Sequence, residues 1–259
     1  VGAGLAGLIL APLAASHGYR AALFVAIALG IVTAIGIIPF GRALAVPGQI
    51  QQRSLSQTII APLSLLFHNA PLRPLAGLAF GFASAQWITA SMVVAYLVSR
   101  IGLTLPMAGI AFAVLQICGT FGRIGSGWIA DRSRNVSFNL AVQALAAALS
   151  MVLLATLPYH APLSLILPEM AFAGLSAFGW NGVYLAQVAR LALPGAIAET
   201  TTGAVSIIYL GNVIAPICGG LIVSFTGSWH LAFLFAGLVP FVFVVAMSLG
   251  LVTKSRSGA

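Results

Sequence analysis

Polar positions interrupt this chain at intervals and do not alternate along it. Runs free of Asp, Glu, Lys and Arg cover 21–41, 74–99, 101–122, 135–168, 170–189 and 201–253. Each is long enough for a transmembrane helix, which needs roughly 20 mostly apolar residues. The two longest runs divide at weak polar breaks, Pro158-Tyr159-His160 and Gly227-Ser228-Trp229-His230. The pattern predicts eight spans: 1–15, 21–40, 74–99, 105–127, 136–157, 164–189, 201–225 and 230–252. Lipid-facing barrel strands would be about ten residues long and strictly alternating, whereas these segments are continuous and rich in Leu, Ala, Gly and Ile. The expected fold is all-α and transmembrane.

Composition agrees. Apolar residues make up 61% of 259 and charged residues only 5%, against about 25% charged in a soluble domain, so no water-facing surface could be assembled. The net charge of +8 does not point to nucleic acid, because the arginines sit singly between spans and form no dense patch. If the first span runs outward, Arg42, Arg53, Arg73, Arg123, Arg132, Arg134, Arg190, Lys254 and Arg256 fall on the cytoplasmic side and Arg20 and Arg100 outside. That distribution obeys the positive-inside rule and places the C-terminus in the cytoplasm. Cys118 and Cys218 lie within predicted helices and read as small apolar residues. The chain begins at Val1, already inside a hydrophobic stretch and without a signal peptide, so the native N-terminus is expected to lie upstream.

The one long polar connection, 41–72, contains Gly48-Gln49-Ile50-Gln51-Gln52-Arg53 and ends at Pro71-Leu72-Arg73-Pro74. It separates two spans from six, as in the middle of a transporter built from two six-helix repeats. Gly18-Tyr19-Arg20 and Gly227-Ser228-Trp229-His230 are two similar short turns, each leading into a very apolar helix. Thr104-Leu105-Pro106 and Leu167-Pro168-Glu169 place proline where a first helical turn needs no amide hydrogen, and so mark the starts of spans four and six.

The loop after span four reads Gly122-Arg123-Ile124-Gly125-Ser126-Gly127-Trp128-Ile129-Ala130-Asp131-Arg132-Ser133-Arg134. It resembles the cytoplasmic loop motif of the major facilitator superfamily, Gly-x-Leu-Ala-Asp-Arg-x-Gly-Arg. Gly127, Ile129, Ala130, Asp131 and Arg132 match, and Arg134 replaces the second glycine. Leu210-Gly211-Asn212-Val213-Ile214-Ala215-Pro216-Ile217-Cys218-Gly219-Gly220 is similar to the superfamily's Gly-Pro-x-x-Gly-Gly antiporter motif, with Ala215 in place of glycine.

The resemblance implies spans five to twelve of a twelve-helix transporter. Residues 1–40 would close the first half, 41–72 would be the central cytoplasmic loop, 73–253 the second half and 254–259 a cytoplasmic tail. It also implies a conformational latch: Gly127 would let helices approach, and Asp131 would accept hydrogen bonds from backbone amides and pair with a nearby arginine, with Arg123 and Arg132 at hand.

The superfamily's central cavity, by the same resemblance, would be lined by spans three, four, six and seven. On span three, Gln86, Thr89 and Tyr96 fall within a sector of about 80°, with Trp87 beside it. On span six, Glu169, Ser176, Trp180, Tyr184 and Gln187 fall within about 80°, and Asn181 borders them. Span seven offers Ser206, Tyr209 and Asn212, span four Gln116 and Thr120, while spans two and eight look lipid-facing. Each polar residue has an alternative role in helix-to-helix hydrogen bonding. Glu169 is the candidate proton carrier, since intramembrane carboxylates are costly and mark function. The competing reading puts it in a first turn behind Pro168, where the helix dipole favours an acid. Glu199, ahead of Thr200, reads more simply as a cap.

No nucleophile–base pair, metal-ligand spacing or phosphate loop occurs, so neither an enzyme nor a cofactor is expected. The reading is a secondary active transporter that carries a small solute, an organic acid or a drug-like compound, across a bacterial inner membrane, with protons as a coupling partner. The competing readings are a non-catalytic membrane scaffold or a membrane-embedded enzyme, and then a channel.

Overall fold

The computed structural model describes residues 2–38 and 60–256, and the side chains within 9–38 and 60–250 of these. Arg42 and Arg53, and the first part of the expected central loop, lie outside the described residues. Among the described residues ten α-helices follow in order: α1 Gly2–His17, α2 Tyr19–Ile37, α3 Ala61–His68, α4 Leu72–Ser99, α5 Leu105–Arg132, α6 Val136–Ala155, α7 Leu163–Ala177, α8 Asn181–Leu191, α9 Ile197–Thr226 and α10 Trp229–Arg256. The described residues contain no strand. The protein is an all-helical integral membrane protein.

Among the described residues seven helical stretches are long and apolar enough to cross a bilayer, counting α7 and α8 together as Leu163–Leu191. The eighth expected span, α1, has only 16 residues. Helix α3 occupies part of the segment expected as loop, and α10 continues through Lys254 to Arg256, where a tail was expected.

Local chemistry sets most boundaries. Thr104 is extended and Pro106 sits in the first turn of α5, as the sequence pattern predicted. Asn135 caps α6 by accepting from the Phe138 amide at 3.0 Å. The two similar turns both rest on a glycine with positive φ, Gly18 (φ 79, ψ 162) and Gly227 (φ 66, ψ 4), which lets one helix end and the next begin within two residues.

The bundle forms around α4, which packs against α9, α10 and α6, while α5 packs against α7 and α1, and α6 against α7. Small residues bring these helices together. A Cβ added at Gly174 would stand 2.2 Å from the Leu115 carbonyl oxygen, and one at Gly122 would stand 2.7 Å from that of Leu175. Without the hydrophobic effect between helices in lipid, such close backbone approach supplies the van der Waals contact that holds them. In helix α2 only Ala22 is buried against the described residues. Helix α10 corrects the lipid-facing expectation: Phe233 and Ala236 are fully buried in the core, and only its other face is exposed.

The sixth expected span departs most from prediction. Its helix starts at Leu163, so Pro168 lies inside it and does not open it. The helix then breaks at Phe178-Gly179-Trp180 and resumes at Asn181.

Candidate functional site

Irregular backbone at membrane depth is tolerated only where its polar groups find partners inside the protein. The α7–α8 break meets that condition through neighbouring side chains. Arg123 Nε donates to the Phe178 carbonyl at 3.1 Å, and the Ser126 hydroxyl donates to the Gly179 carbonyl at 2.6 Å. From α6, Gln143 Nε2 donates to the Ser176 carbonyl at 3.3 Å. Gly179 is required here, because a Cβ would lie 2.7 Å from the backbone of Gly122.

The break delivers Trp180 to the face of α4. Its ring stacks on Phe82, with centroids 4.9 Å and planes 9° apart. Trp180 Nε1 donates to Gln86 Oε1 at 3.1 Å. Tyr184, one turn on, packs on Trp180 with centroids 5.6 Å apart.

Gln86 also faces a cavity of about 450 Å³ between α4, α5 and the break. Its polar lining comes from Gln86, Ser91, Gln116, Thr120 and Arg123, and its aromatic lining from Trp87, Phe112 and Phe178. This size is within the range of small-molecule sites.

The structure separates the other residues that the helical faces grouped together. Thr89 is buried against α6, donating to the Ala85 carbonyl at 2.7 Å and to Met151 Sδ at 3.1 Å. Tyr96 donates to the Leu154 carbonyl at 2.8 Å and packs on Phe233. Both serve helix packing, and the single face drawn through Gln86, Thr89 and Tyr96 points two ways. Gln187 reaches Ser137 of α6 at 3.4 Å. The Tyr184 hydroxyl, Asn181 Oδ1 and Asn212 Oδ1 are buried without a hydrogen bond to any described residue. Tyr209 is 65% exposed on the side of α9 away from its packing edge, and neither it nor Asn212 lines the cavity.

Glu169 corrects the first-turn reading. It is buried, 7% exposed, in the interior of α7, and Ser150 of α6 donates to its Oε1 at 3.0 Å. It lies in the α6–α7 interface and is not part of the cavity lining.

The profile of the Major Facilitator Superfamily matches residues 1–209. The chain belongs to this superfamily. Among solved structures it is similar to a point variant of the Escherichia coli fucose:proton symporter FucP, with 20% identity and a TM-score of 0.62 over 89% of this chain and 56% of that one. It is similar also to FucP, a Major Facilitator Superfamily transporter, in the outward conformation, with 19% identity, a TM-score of 0.62 and the same coverage. At these identities the likeness shows the shared fold, and the chain spans little more than half of the FucP chain. No curated protein is similar enough in sequence to count as a match.

Membership in a transporter superfamily, not an enzyme family, accounts for the loop motif. Its residues nonetheless sit differently from expectation. Among the described residues nothing lies within 4 Å of a Cβ added at Gly127, while Gly122, Gly174 and Gly179 make close backbone approaches. Asp131 is exposed, and its carboxylate makes no hydrogen bond or ion pair with a described residue. Arg132 lies over the ring of Trp128, 4.0 Å from the centroid. Arg123 belongs to the cavity and the helix break. Sequence reasoning missed Ser126 and the break itself, although the two glycines of Phe178-Gly179-Trp180-Asn181-Gly182 carry its signal.

Proposed function

We propose that the chain is the part of a secondary active transporter comprising spans five to twelve, and that the whole protein moves a small solute across a bacterial inner membrane by alternating access. Residues 1–40 would then end the first half, 41–72 link the halves, 73–253 form the second half and 254–259 lie in the cytoplasm. The observation that carries this reading is the cavity between α4 and α5, bordered by a broken helix whose freed carbonyls are held by side chains of α5. Discontinuous helices beside polar cavities are how such transporters build solute sites near the bilayer midplane.

Gln86, held by the Trp180 indole, is the solute-facing residue in this proposal, and Gln116 and Thr120 line the opposite wall. Gly127, Asp131 and Arg132 form a latch toward the cytoplasm. Glu169 carries the proton: a buried carboxylate at mid-helix is costly and persists for function, and the similar FucP is described as a fucose:proton symporter.

The test is uptake of labelled organic acids, sugars and drug-like cations by cells that express the complete reading frame. Accumulation of one class, abolished by an uncoupler and reduced in Gln86→Ala, is the expected result. A protein that inserts stably and moves none of them overturns the proposal.

A further inference from the structure

We infer that Asn69, at the junction of α3 and α4, is a positioning residue: it holds the far end of α8, and through that helix it sets the bond between Trp180 and Gln86 beside the cavity. This rests on the proposed solute site and adds the element that keeps it in place.

Helix α3 is fastened to the bundle before the chain enters α4. Pro62 is buried and Leu66 fully so. A Cβ added at Gly203 would stand 2.2 Å from the Pro62 carbonyl oxygen, so α3 and α9 meet backbone to backbone. The turn that follows is tied on both sides: the Asn69 amide donates to the Leu65 carbonyl at 3.3 Å, and the Leu72 amide donates to the Asn69 carbonyl at 3.0 Å. Arg73 Nε adds a bond to the Phe67 carbonyl at 2.5 Å. With its backbone committed in this way, Asn69 sends its side chain to a distant part of the sequence, where Nδ2 donates to the Leu191 carbonyl at 2.9 Å.

Leu191 is the last residue of α8, and the last four carbonyls of a helix have no partner within it. Helix α8 has 11 residues, of which only Val183, Tyr184 and Val188 are buried; an isolated helix of that length is marginal. The break precedes it, and the extended Ala192 and Gly195 (φ 83) follow it, so neither neighbour along the chain fixes its direction. Side-chain hydrogen bonds at three points along it do: Trp180 to Gln86 at the break, Gln187 to Ser137 of α6, and Asn69 to Leu191. The first and last of these lie about 16 Å apart along the axis, and together they resist a tilt that neither resists alone. Freed at Leu191, α8 can swing and draw the Trp180 indole away from Gln86. Asn69 thus acts on the cavity without lining it.

The experiment uses the complete protein, purified in detergent, and reads amide exchange with no ligand present. Asn69→Asp keeps the shape and removes the N–H donor. Its charge falls near the start of α4, where the helix dipole favours an acid, so the turn itself should hold. Exchange should quicken about 2- to 10-fold over 187–192 and again over 178–182, the range for one lost hydrogen bond, with α3 and α6 unchanged. Gly203→Ala, which pushes α3 off α9 and leaves Asn69 as it is, should quicken 178–182 likewise and decides the matter if Asn69→Asp does not fold. Quickening confined to 187–192 overturns the inference and makes Asn69 a local cap; so does exchange that does not change. With the labelled organic acids, sugars and drug-like cations of the uptake assay, Asn69→Asp should raise KM by a similar factor and keep the maximal rate, whereas a lower maximal rate at constant KM overturns the positioning role. Exchange that responds at both ends in a protein that carries none of these solutes supports the tether and removes the solute site. Transport with 178–182 unmoved removes the tether and leaves the transporter.

Discussion

Ser150 of α6 donates its hydroxyl to Glu169 Oε1 of α7 at 3.0 Å, in an interface where Ser150 is fully buried and Glu169 nearly so. No cation stands beside the pair in the described structure, so the hydroxyl is the one hydrogen-bond partner shown for the carboxyl group. Glu169→Gln preserves an oxygen acceptor for Ser150 and should leave thermal stability within about 1 kcal/mol. If Glu169 carries the proton, the same variant loses uptake against a gradient and keeps solute exchange, because only the coupling ion is removed. Full accumulation in Glu169→Gln would take the proton away from this residue.

Gly174 and Gly220 offer a pair of substitutions with opposite expected signs. A Cβ at Gly174 would sit 2.2 Å from the Leu115 carbonyl and 2.9 Å from the Gly119 amide nitrogen, both backbone atoms that cannot swing aside. A Cβ at Gly220, in the interior of α9, meets nothing within 4 Å. Gly174→Ala should force α5 and α7 apart and cost about 1–3 kcal/mol. Gly220→Ala should gain up to about 1 kcal/mol from helix propensity. Thermal unfolding of the detergent-solubilised protein measures both.

Tyr96→Phe tests whether that tyrosine packs helices or contacts solute. The change removes the hydroxyl that reaches the Leu154 carbonyl at 2.8 Å, at a cost of about 0.5–1.5 kcal/mol. The ring keeps its contact with Phe233, 4.9 Å between centroids. Stability should fall by that amount while the KM for solute stays unchanged; a raised KM would return Tyr96 to the solute site.

The spans were legible in the sequence because one term dominates: about 20 apolar residues without a charge have no other stable environment. The same clarity fails at α10, because an apolar surface reads alike whether lipid or Phe233's neighbours on α4 and α6 cover it. The face arithmetic found Gln86 and Trp180, which do meet, because each lies near the middle of its own span. It failed at Gln187, which turns to Ser137 of α6 beyond the break, since a fixed rotation per residue cannot be carried across it. Glu169 was misplaced for a related reason: Pro168 is compatible with a first turn and also, in a membrane helix, with the interior, where neighbours satisfy the freed carbonyl. The latch motif named the family without locating a contact, because Asp131 and Arg132 are read from their order in the chain, while Arg123 took its place from the cavity.

Ser126→Ala is the sharpest test of the break. The hydroxyl of Ser126 donates to the Gly179 carbonyl at 2.6 Å from α5, and its neighbour one turn back, Arg123, holds the Phe178 carbonyl at 3.1 Å. Removing the hydroxyl leaves a carbonyl in an apolar interior without its donor, at a cost of about 1–3 kcal/mol. The chain can recover part of that by extending α7 through Gly179, where glycine permits the helical conformation, but a continuous helix would rotate Trp180 off Phe82 and break its bond to Gln86. Two readouts should therefore move together: amide exchange at 178–181 should change against unaltered exchange in α6, and solute affinity should fall although Ser126 does not line the cavity. Loss of stability with affinity intact would reduce Ser126 to a packing residue and separate the break from the solute site.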